Sequence, residues 1–299
     1  MKHRAGFVNI IGLPNAGKST LLNALMGDKT AIVTPKPQTT RHRLKAMING
    51  EDYQVIFSDT PGFIHAPAYL MQENMNSTVS QAFEDADLLL FVVSPEDPSP
   101  DKHPMTEMMT QLAANQRLVL ILNKSDQISS EEAEDRLQEW RQLLQPQDSF
   151  AVSALKSEGV DSLFKSIVEH LPLHPPFYDK EDWTDRSERF FTSEFIREQI
   201  LLLFHQEIPY NVEVQVESFK RGTSKKGPII RIIANVYVSR RSQKAIMIGK
   251  DGKMIRKLGT ASRKSLESFF GENVFLQIFI KARKGWRNDK RWLKNFGYE

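Results

Sequence analysis

With 299 residues, 40% apolar and 26% charged, the chain is long enough for two hydrophobic cores and has the composition of a water-soluble globular protein. It has no cysteine, which excludes disulfides, thiolate nucleophiles and cysteine metal sites, and no apolar run approaches the ~20 residues of a membrane span. The formal charge of +3 conceals a division: from Asn211 onward 21 Lys and Arg face 7 Asp and Glu, against 19 and 30 before it. A basic C-terminal third of that kind points to a polyanionic partner. Met1-Lys2-His3-Arg4 runs into a strand without the apolar stretch of a signal peptide, so a cytoplasmic location is expected.

In chain order, Phe7-Val8-Asn9-Ile10-Ile11 predicts a strand, Gly12 to Ser19 a glycine-bounded loop, and residues 20–26 a helix closed by Gly27. Residues 28–43, rich in Thr, Pro and Lys without periodicity, predict an exposed, mobile loop. Residues 44–48 and 53–57 flank Asn49-Gly50, a hairpin signal that gives the sheet one antiparallel edge. Residues 88–93 and 118–122 are continuous apolar runs, as strands buried on both faces require. Helical patterns cover residues 102–114, 131–144 and 160–170, with a short strand near 150–152. The alternation predicts an α/β domain with a doubly wound, mostly parallel sheet over residues 1–172. Three prolines in residues 171–176 break it, and a linker is expected over 173–182. Asp185, with Glu188 three residues later, is expected to cap a helix that opens a second, α+β domain over 183–285. Strands at 212–219 and 229–238, around a Lys/Gly-rich turn, then two helical segments and a strand at 274–280 give the order α-β-β-α-α-β. The tail, 286–299, holds Trp286, Trp292, Phe296 and Tyr298 and is expected to pack as a short helix. The seven His show no metal spacing; His103 and His174, each before a proline, are expected as ordinary surface residues.

Gly12-Leu13-Pro14-Asn15-Ala16-Gly17-Lys18-Ser19 matches G-x-x-x-x-G-K-[ST], between a strand and a helix as that motif demands. Its backbone turns successive N–H groups toward a polyphosphate at a helix N-terminus, which assigns Gly12, Asn15, Ala16, Gly17, Lys18, Ser19 and Thr20 to phosphate binding. Lys18 would reach the β- and γ-phosphates and Ser19 would ligate Mg²⁺. Asp59-Thr60-Pro61-Gly62 follows a strand; Asp59 would hold Mg²⁺ through water and Gly62 would let its N–H approach the γ-phosphate. Asn123-Lys124-Ser125-Asp126 selects guanine over adenine, because the Asp126 carboxylate accepts from N1–H and the exocyclic amine, which adenine does not offer as a pair. Lys124 would lie over the base, and Ser153-Ala154-Leu155 can offer backbone N–H groups to guanine O6. Within Pro37-Gln38-Thr39-Thr40-Arg41, a threonine would complete the Mg²⁺ shell only when the γ-phosphate is present; Thr40 is favoured over Thr39. The position after Gly62 is Phe63, which cannot orient a water as a glutamine does, so slow hydrolysis of GTP is expected. Asn15 in a P-N-x-G-K-S loop can help to bind a K⁺ ion in place of an arginine finger; the alternative is that it only shapes the turn.

In the basic third, Ile246-Met247-Ile248-Gly249-Lys250-Asp251-Gly252-Lys253-Met254-Ile255 holds a G-x-x-G loop between helical segments, the place where a KH module clamps about four nucleotides of single-stranded RNA. Gly249 and Gly252 would let the phosphate backbone approach, with Asp251 between them; Lys250 and Lys253 supply charge, and Ile246, Ile248 and Ile255 floor the groove.

The combination of P-N-A-G-K-S, Q-T-T-R, D-T-P-G and N-K-x-D with an α-β-β-α-α-β KH domain resembles the bacterial Era family of GTPases over nearly the whole chain, including Thr184 to Phe190, Ile208-Pro209-Tyr210 and Lys284-Gly285-Trp286. The resemblance implies a KH domain of type II. It also implies a monomeric molecular switch that binds the 3′ end of 16S ribosomal RNA during small-subunit maturation, with GTP favouring the RNA-binding form. Loose association with the inner face of the membrane is implied as well. Leu155 departs from the lysine that many GTPases carry there, a change that backbone contacts survive. The competing reading is an RNA-binding scaffold in which GTP is mainly a structural or regulatory ligand.

Overall fold

The structure is a computed structural model and describes residues 3–225 and 227–298. Met1 and Lys2 of the expected leaderless start, Lys226 of the expected turn and the terminal Glu299 lie outside the described residues. The chain forms two compact units, one reaching Asp185 apart from Tyr69–Met71, the other holding that short segment with Arg186–Glu299.

The first unit contains β1 (Arg4–Ile11), α1 (Lys18–Met26), β2 (Leu44–Asn49), β3 (Tyr53–Asp59), most of α2 (Leu70–Glu84), β4 (Leu88–Val93), α3 (Thr106–Ala113), β5 (Leu118–Leu122), α4 (Ser130–Leu144), β6 (Asp148–Ala151) and α5 (Val160–His170). Its six-stranded sheet has the order β2-β3-β1-β4-β5-β6, and β2, paired with β3, is its one antiparallel member. Every residue of β4 and β5 is buried, as continuous apolar strands between two helix layers must be. On one face Phe91, Leu120, Leu137, Trp140 and Leu144 anchor an apolar cluster.

Several local expectations are corrected. Helix α2 escaped the sequence reading although Met75, Val79, Ala82 and Phe83 recur at helical spacing and are buried; polar Asn, Ser, Thr and Gln between them hide the stripe. Helix α3 starts at Thr106 rather than at 102, because Pro104 lacks an N–H and drives His103 out of the helical region. His103 is not a surface residue: it is 4% exposed and meets Phe91 and Trp140 edge-to-face at 5.6 and 5.1 Å, and burial lowers its pKa. His174 is exposed and stacks on Phe177. Residues 173–182, expected as a linker, lie along the β2–β3 edge: Gln54 Nε2 donates to Tyr178 O, Asn49 Nδ2 to Lys180 O and Asp182 O, and Met47 N to Trp183 O. Asp185 does not cap the following helix; its carboxylate accepts from Lys45 N, and the cap is Ser187, which accepts from Phe190 N.

The second unit holds α6 (Glu188–Leu203), β7 (Val212–Ser224), β8 (Gly227–Val238), α7 (Arg241–Ile248), α8 (Lys253–Phe270), β9 (Asn273–Ala282) and α9 (Lys290–Asn295). Its sheet runs β7-β8-β9, with β7 antiparallel and β9 parallel to β8. The tail does pack: Trp286 is fully buried, Trp292 and Phe296 meet Tyr237, and the Tyr298 hydroxyl donates to Glu213 at 2.6 Å. Inside this unit Arg197 is buried against the Glu194 carboxylate, so the charge has its partner within the same helix.

Helix α4 begins with a reciprocal cap, Ser129 Oγ accepting from Glu132 N at 3.2 Å and Glu132 Oε2 from Ser129 N at 2.9 Å. Ser129→Ala is expected to destabilise the protein by about 1 kcal/mol, read as a lower urea midpoint with unchanged slope.

Candidate functional site

Parallel strands send their carboxyl ends to one edge, and the loops leaving β1, β3, β5 and β6 there carry the four sequence motifs. The register sets Ile10 opposite Asp59 and Val93 opposite Leu122, so the motifs start at nearly the same level. Gly17 has φ 91°, and a Cβ there would lie 2.2 Å from Asn123 Nδ2; no other residue fits between the β1 loop and the β5 loop. Asn15 stands exposed at the tip of the turn with φ 68°, a conformation asparagine tolerates. Gly12 precedes the turn, Ala16 is buried within it, and Thr20 continues into α1.

Lys18 folds back into this loop, its Nζ donating to Gly12 O at 3.0 Å and Leu13 O at 2.8 Å. Burial lowers its pKa to about 8, against the opposing pull of Asp59 and Asp97. A cation held so far from water favours a polyanion that would replace its lost hydration. Next to it Ser19 Oγ donates to Asp59 Oδ2 at 2.7 Å, Thr40 Oγ1 to the same oxygen at 3.1 Å, and the two hydroxyls are 2.8 Å apart. Three hard oxygens converging from α1, the 28–43 loop and the end of β3 are a donor set suited to Mg²⁺. Thr39 lines the same cleft, its hydroxyl donating to Lys36 O and lying 2.7 Å from Thr34 Oγ1. The cleft over these groups is lined among others by Asn15, Lys18, Ser19, Thr34, Thr40 and Gly62. Phe63 turns from it to pack on the apolar cluster behind the sheet.

At the other end of the site Asn123 works as a strut. Its Nδ2 donates to Ala16 O at 3.0 Å and its Oδ1 accepts from Ala154 N at 3.0 Å, tying the phosphate loop to the loop after β6. Ser153 N donates to Glu158 O, and Leu155 is 81% exposed at the tip of that loop. The Asp126 carboxyl is held below its usual range by a hydrogen bond from Ser153, with Lys156 3.7 Å away, so it is an ionised acceptor. Lys124 takes φ 60° and pairs with Glu96 at 2.8 Å. The sequence reading gave no role to the loop after β4, yet Glu96 and Asp97 bear on Lys124 and Lys18. Acidic residues in a turn carry no motif, and only the closeness of β4 to β1 and β5 reveals them.

In the second unit the segment 249–252 joins α7 to α8 in a tight turn with φ 73° at Gly249, 54° at Asp251 and 71° at Gly252. A Cβ at Gly249 would meet Met254 at 2.8 Å. Lys250 and Lys253 are exposed, Ile246 is 55% exposed, and Ile248 and Ile255 are half-buried around the turn. Arg256 donates to Asp251 O and so bridges the turn from α8.

A phosphate-loop fold in which hydroxyl and carboxylate oxygens of Ser19, Thr40 and Asp59 converge, followed by a G-x-x-G turn, defines a P-loop GTPase joined to a KH domain. Family models agree: residues 7–124 match one described as 50S ribosome-binding GTPase, and residues 207–287 one described as KH domain. The chain is 41% identical to GTPase Era of Syntrophus aciditrophicus over 99% of this chain and 95% of that one. With GTPase Era of Caldanaerobacter subterraneus subsp. tengcongensis it shares 39% over 100% and 99%. Two solved structures, each 30% identical with 99% of both chains covered, superpose with TM-scores of 0.91 and 0.90: a tyrosine-to-alanine variant of Aquifex aeolicus Era bound to GDP and AlF4⁻, and Era in complex with MgGDPNP and nucleotides 1506–1542 of 16S ribosomal RNA. The chain belongs to the Era family of GTPases.

In the nucleotide-free protein Lys18 loses its proton near pH 8, whereas the unfolded chain holds it to about 10.5. The unfolded state therefore binds more protons between these values, and native stability rises with pH across that window. The penalty, about 3 kcal/mol, is fully present below pH 8. Lys18→Met is expected to remove the rise, so urea midpoints of variant minus parent should fall from pH 8 to 10.5.

Proposed function

We propose that this chain uses GTP binding and hydrolysis to control its grip on the 3′ region of 16S ribosomal RNA and so assists small-subunit assembly. The observation that carries the reading is full-length similarity to an Era described in complex with MgGDPNP and nucleotides 1506–1542 of that RNA, over both units of the chain. On this reading the chain works in the cytoplasm, at the maturing ribosome. Among the described residues no helix is long and apolar enough to cross a membrane; the loose membrane association implied by the sequence resemblance would be peripheral.

In this reading the N–H groups of residues 12–20 and Lys18 cradle the phosphates, with Gly62 approaching the γ-phosphate. Ser19, Thr40 and Asp59 hold Mg²⁺, which when bound offsets charge on the phosphate oxygens. Asp126 accepts from guanine N1–H and the exocyclic amine, Lys124 covers the base, and Asn123, Ser153, Ala154 and Leu155 shape its pocket. Thr40 reports the γ-phosphate, because it reaches the Ser19–Asp59 pair only from the loop before β2. Lys250 and Lys253 attract RNA phosphates to the Gly249–Gly252 turn, while Ile246, Ile248 and Ile255 lie under the bases. Phe63 supplies no hydrogen bond to an attacking water, so turnover by the isolated protein is slow.

Coupling is tested by measuring affinity for nucleotides 1506–1542 of 16S RNA with GDPNP, GDP or no nucleotide. At least tenfold tighter binding with GDPNP, lost in Gly252→Asp, is expected; equal affinity in all three states would leave the scaffold reading instead. Asn15 is tested separately. GTP turnover should be faster in K⁺ than in Na⁺, and Asn15→Ala should erase the difference; turnover indifferent to the cation would confine Asn15 to shaping its turn.

A further inference from the structure

The run Phe7-Val8-Asn9-Ile10-Ile11 of β1 is apolar except at Asn9, which is fully buried and which none of the motifs explains. A buried amide is costly unless both its ends are bonded. Here Nδ2 donates to Ala82 O in the last turn of α2, and Oδ1 accepts from Arg43 Nη2 at 3.4 Å. Arg43 directly precedes β2, three residues after Thr40, and its guanidinium reaches three elements. Besides Asn9 of β1, it donates from Nε to Ser58 Oγ of β3 at 2.6 Å and from Nη1 to Asp85, just past α2, at 2.9 Å. Ser58 is also fully buried, lies opposite Asn9 in the parallel register and immediately precedes Asp59. The Asp85 carboxylate is exposed, so that ion pair contributes little by itself. The planar fork onto two buried neutral oxygens is what fixes the guanidinium, and a cation suits the carbonyl end of a helix.

The same helix also holds the chain that follows D-T-P-G. Asn76, in the middle of α2, bonds the backbone of Ile64 twice: Oδ1 accepts from Ile64 N at 3.0 Å and Nδ2 donates to Ile64 O at 2.7 Å. Ile64 stands two residues after Gly62. Six residues of helix separate Asn76 from Ala82, a stiff length of about 9 Å. Helix α2 is therefore gripped at two points, by the chain just after Gly62 and by the chain just after Thr40. We propose that Arg43 is a positioning residue that makes α2 a brace between these two segments. Thr40 at the Ser19–Asp59 pair and Gly62 at the γ-phosphate are then set together rather than one at a time. The inference rests on the reading above of Thr40 and Gly62 as contacts to the γ-phosphate, and assigns the link between them.

The test uses the full chain with Mg²⁺ and measures affinity for GDPNP and for GDP in the parent, Arg43→Gln, Asn76→Ala and the two combined. A shared brace can be broken only once. Each single variant is expected to bind GDPNP at least roughly fivefold more weakly, and the combination about as weakly as the worse single, with GDP affinity within about twofold of the parent throughout. Arg43→Lys keeps the charge but cannot fork, and should behave as Arg43→Gln does. Amide exchange gives a second readout: Thr40→Ala should abolish the protection that GDPNP confers on residues 62–66 in the parent, and should change it no further in Arg43→Gln. If Arg43→Gln unfolds, Ser58→Ala, which removes one acceptor of the fork with little change in volume, takes its place. Losses that multiply in the combination, losses equal for GDP and GDPNP, no loss, or full rescue by Arg43→Lys overturn the brace and leave the nucleotide reading intact. A Thr40→Ala variant that binds GDPNP as the parent does removes the reading of Thr40, and the brace with it.

Discussion

The structure of the first unit is arranged around an amine that has lost most of its contact with water. Lys18 is 6% exposed, its hydrogen bonds go to two carbonyls of its own loop, and the carboxylates that bear on it, Asp59 and Asp97, come from the end of β3 and the loop after β4. A charge in that position is tolerated because dipoles and distant anions partly replace solvent. The same shortage of counter-charge makes the loop receptive to phosphates. The three-way contact of Ser19, Thr40 and Asp59 beside it extends the logic: one carboxylate oxygen accepts from two hydroxyls that come from segments with no other reason to meet.

The sheet makes such meetings possible. Strands β1, β3, β4, β5 and β6 run parallel, so residues dispersed from Gly12 to Leu155 are delivered to one edge. Asn123 then locks two of the loops together through a single amide, using its donor on Ala16 O and its acceptor on Ala154 N. An aspartate there would lose the donor and a leucine both bonds. That is a reason for the first residue of N-K-x-D to be an asparagine, independent of any contact with the base.

Much of this was legible in the sequence because backbone-dependent motifs announce themselves. A glycine-bounded loop between an apolar strand and a helix, and buried strands written as uninterrupted Leu, Val and Ile, allow few alternatives. What stayed hidden depends on partners distant in sequence. Helix α2 hides its Met75–Val79–Phe83 stripe among polar residues and is defined by what it packs on. The prolines of 172–176 stop a helix, as read, but they do not free the chain that follows, since Gln54 of β3 and Asn49 of β2 hold residues 177–182 from more than 120 positions away. Asp185 was drawn from the capping of α6 to Lys45 N by the same seam. At the G-x-x-G turn the glycine positions were readable, whereas the bridge from Arg256 to Asp251 O was not.

That seam has a mechanical meaning. Sheet strand β2, an edge strand, would expose a row of unpaired backbone groups, and Trp183 and Thr184 cover part of it by bonding to Met47 and Lys45. The peptide leaving the first unit is thus sewn to a strand that begins four residues after Thr40. The 28–43 loop that carries Thr40 runs directly into β2, and the backbone that departs at Asp185 is bonded to that same strand, so one short length of polypeptide serves both.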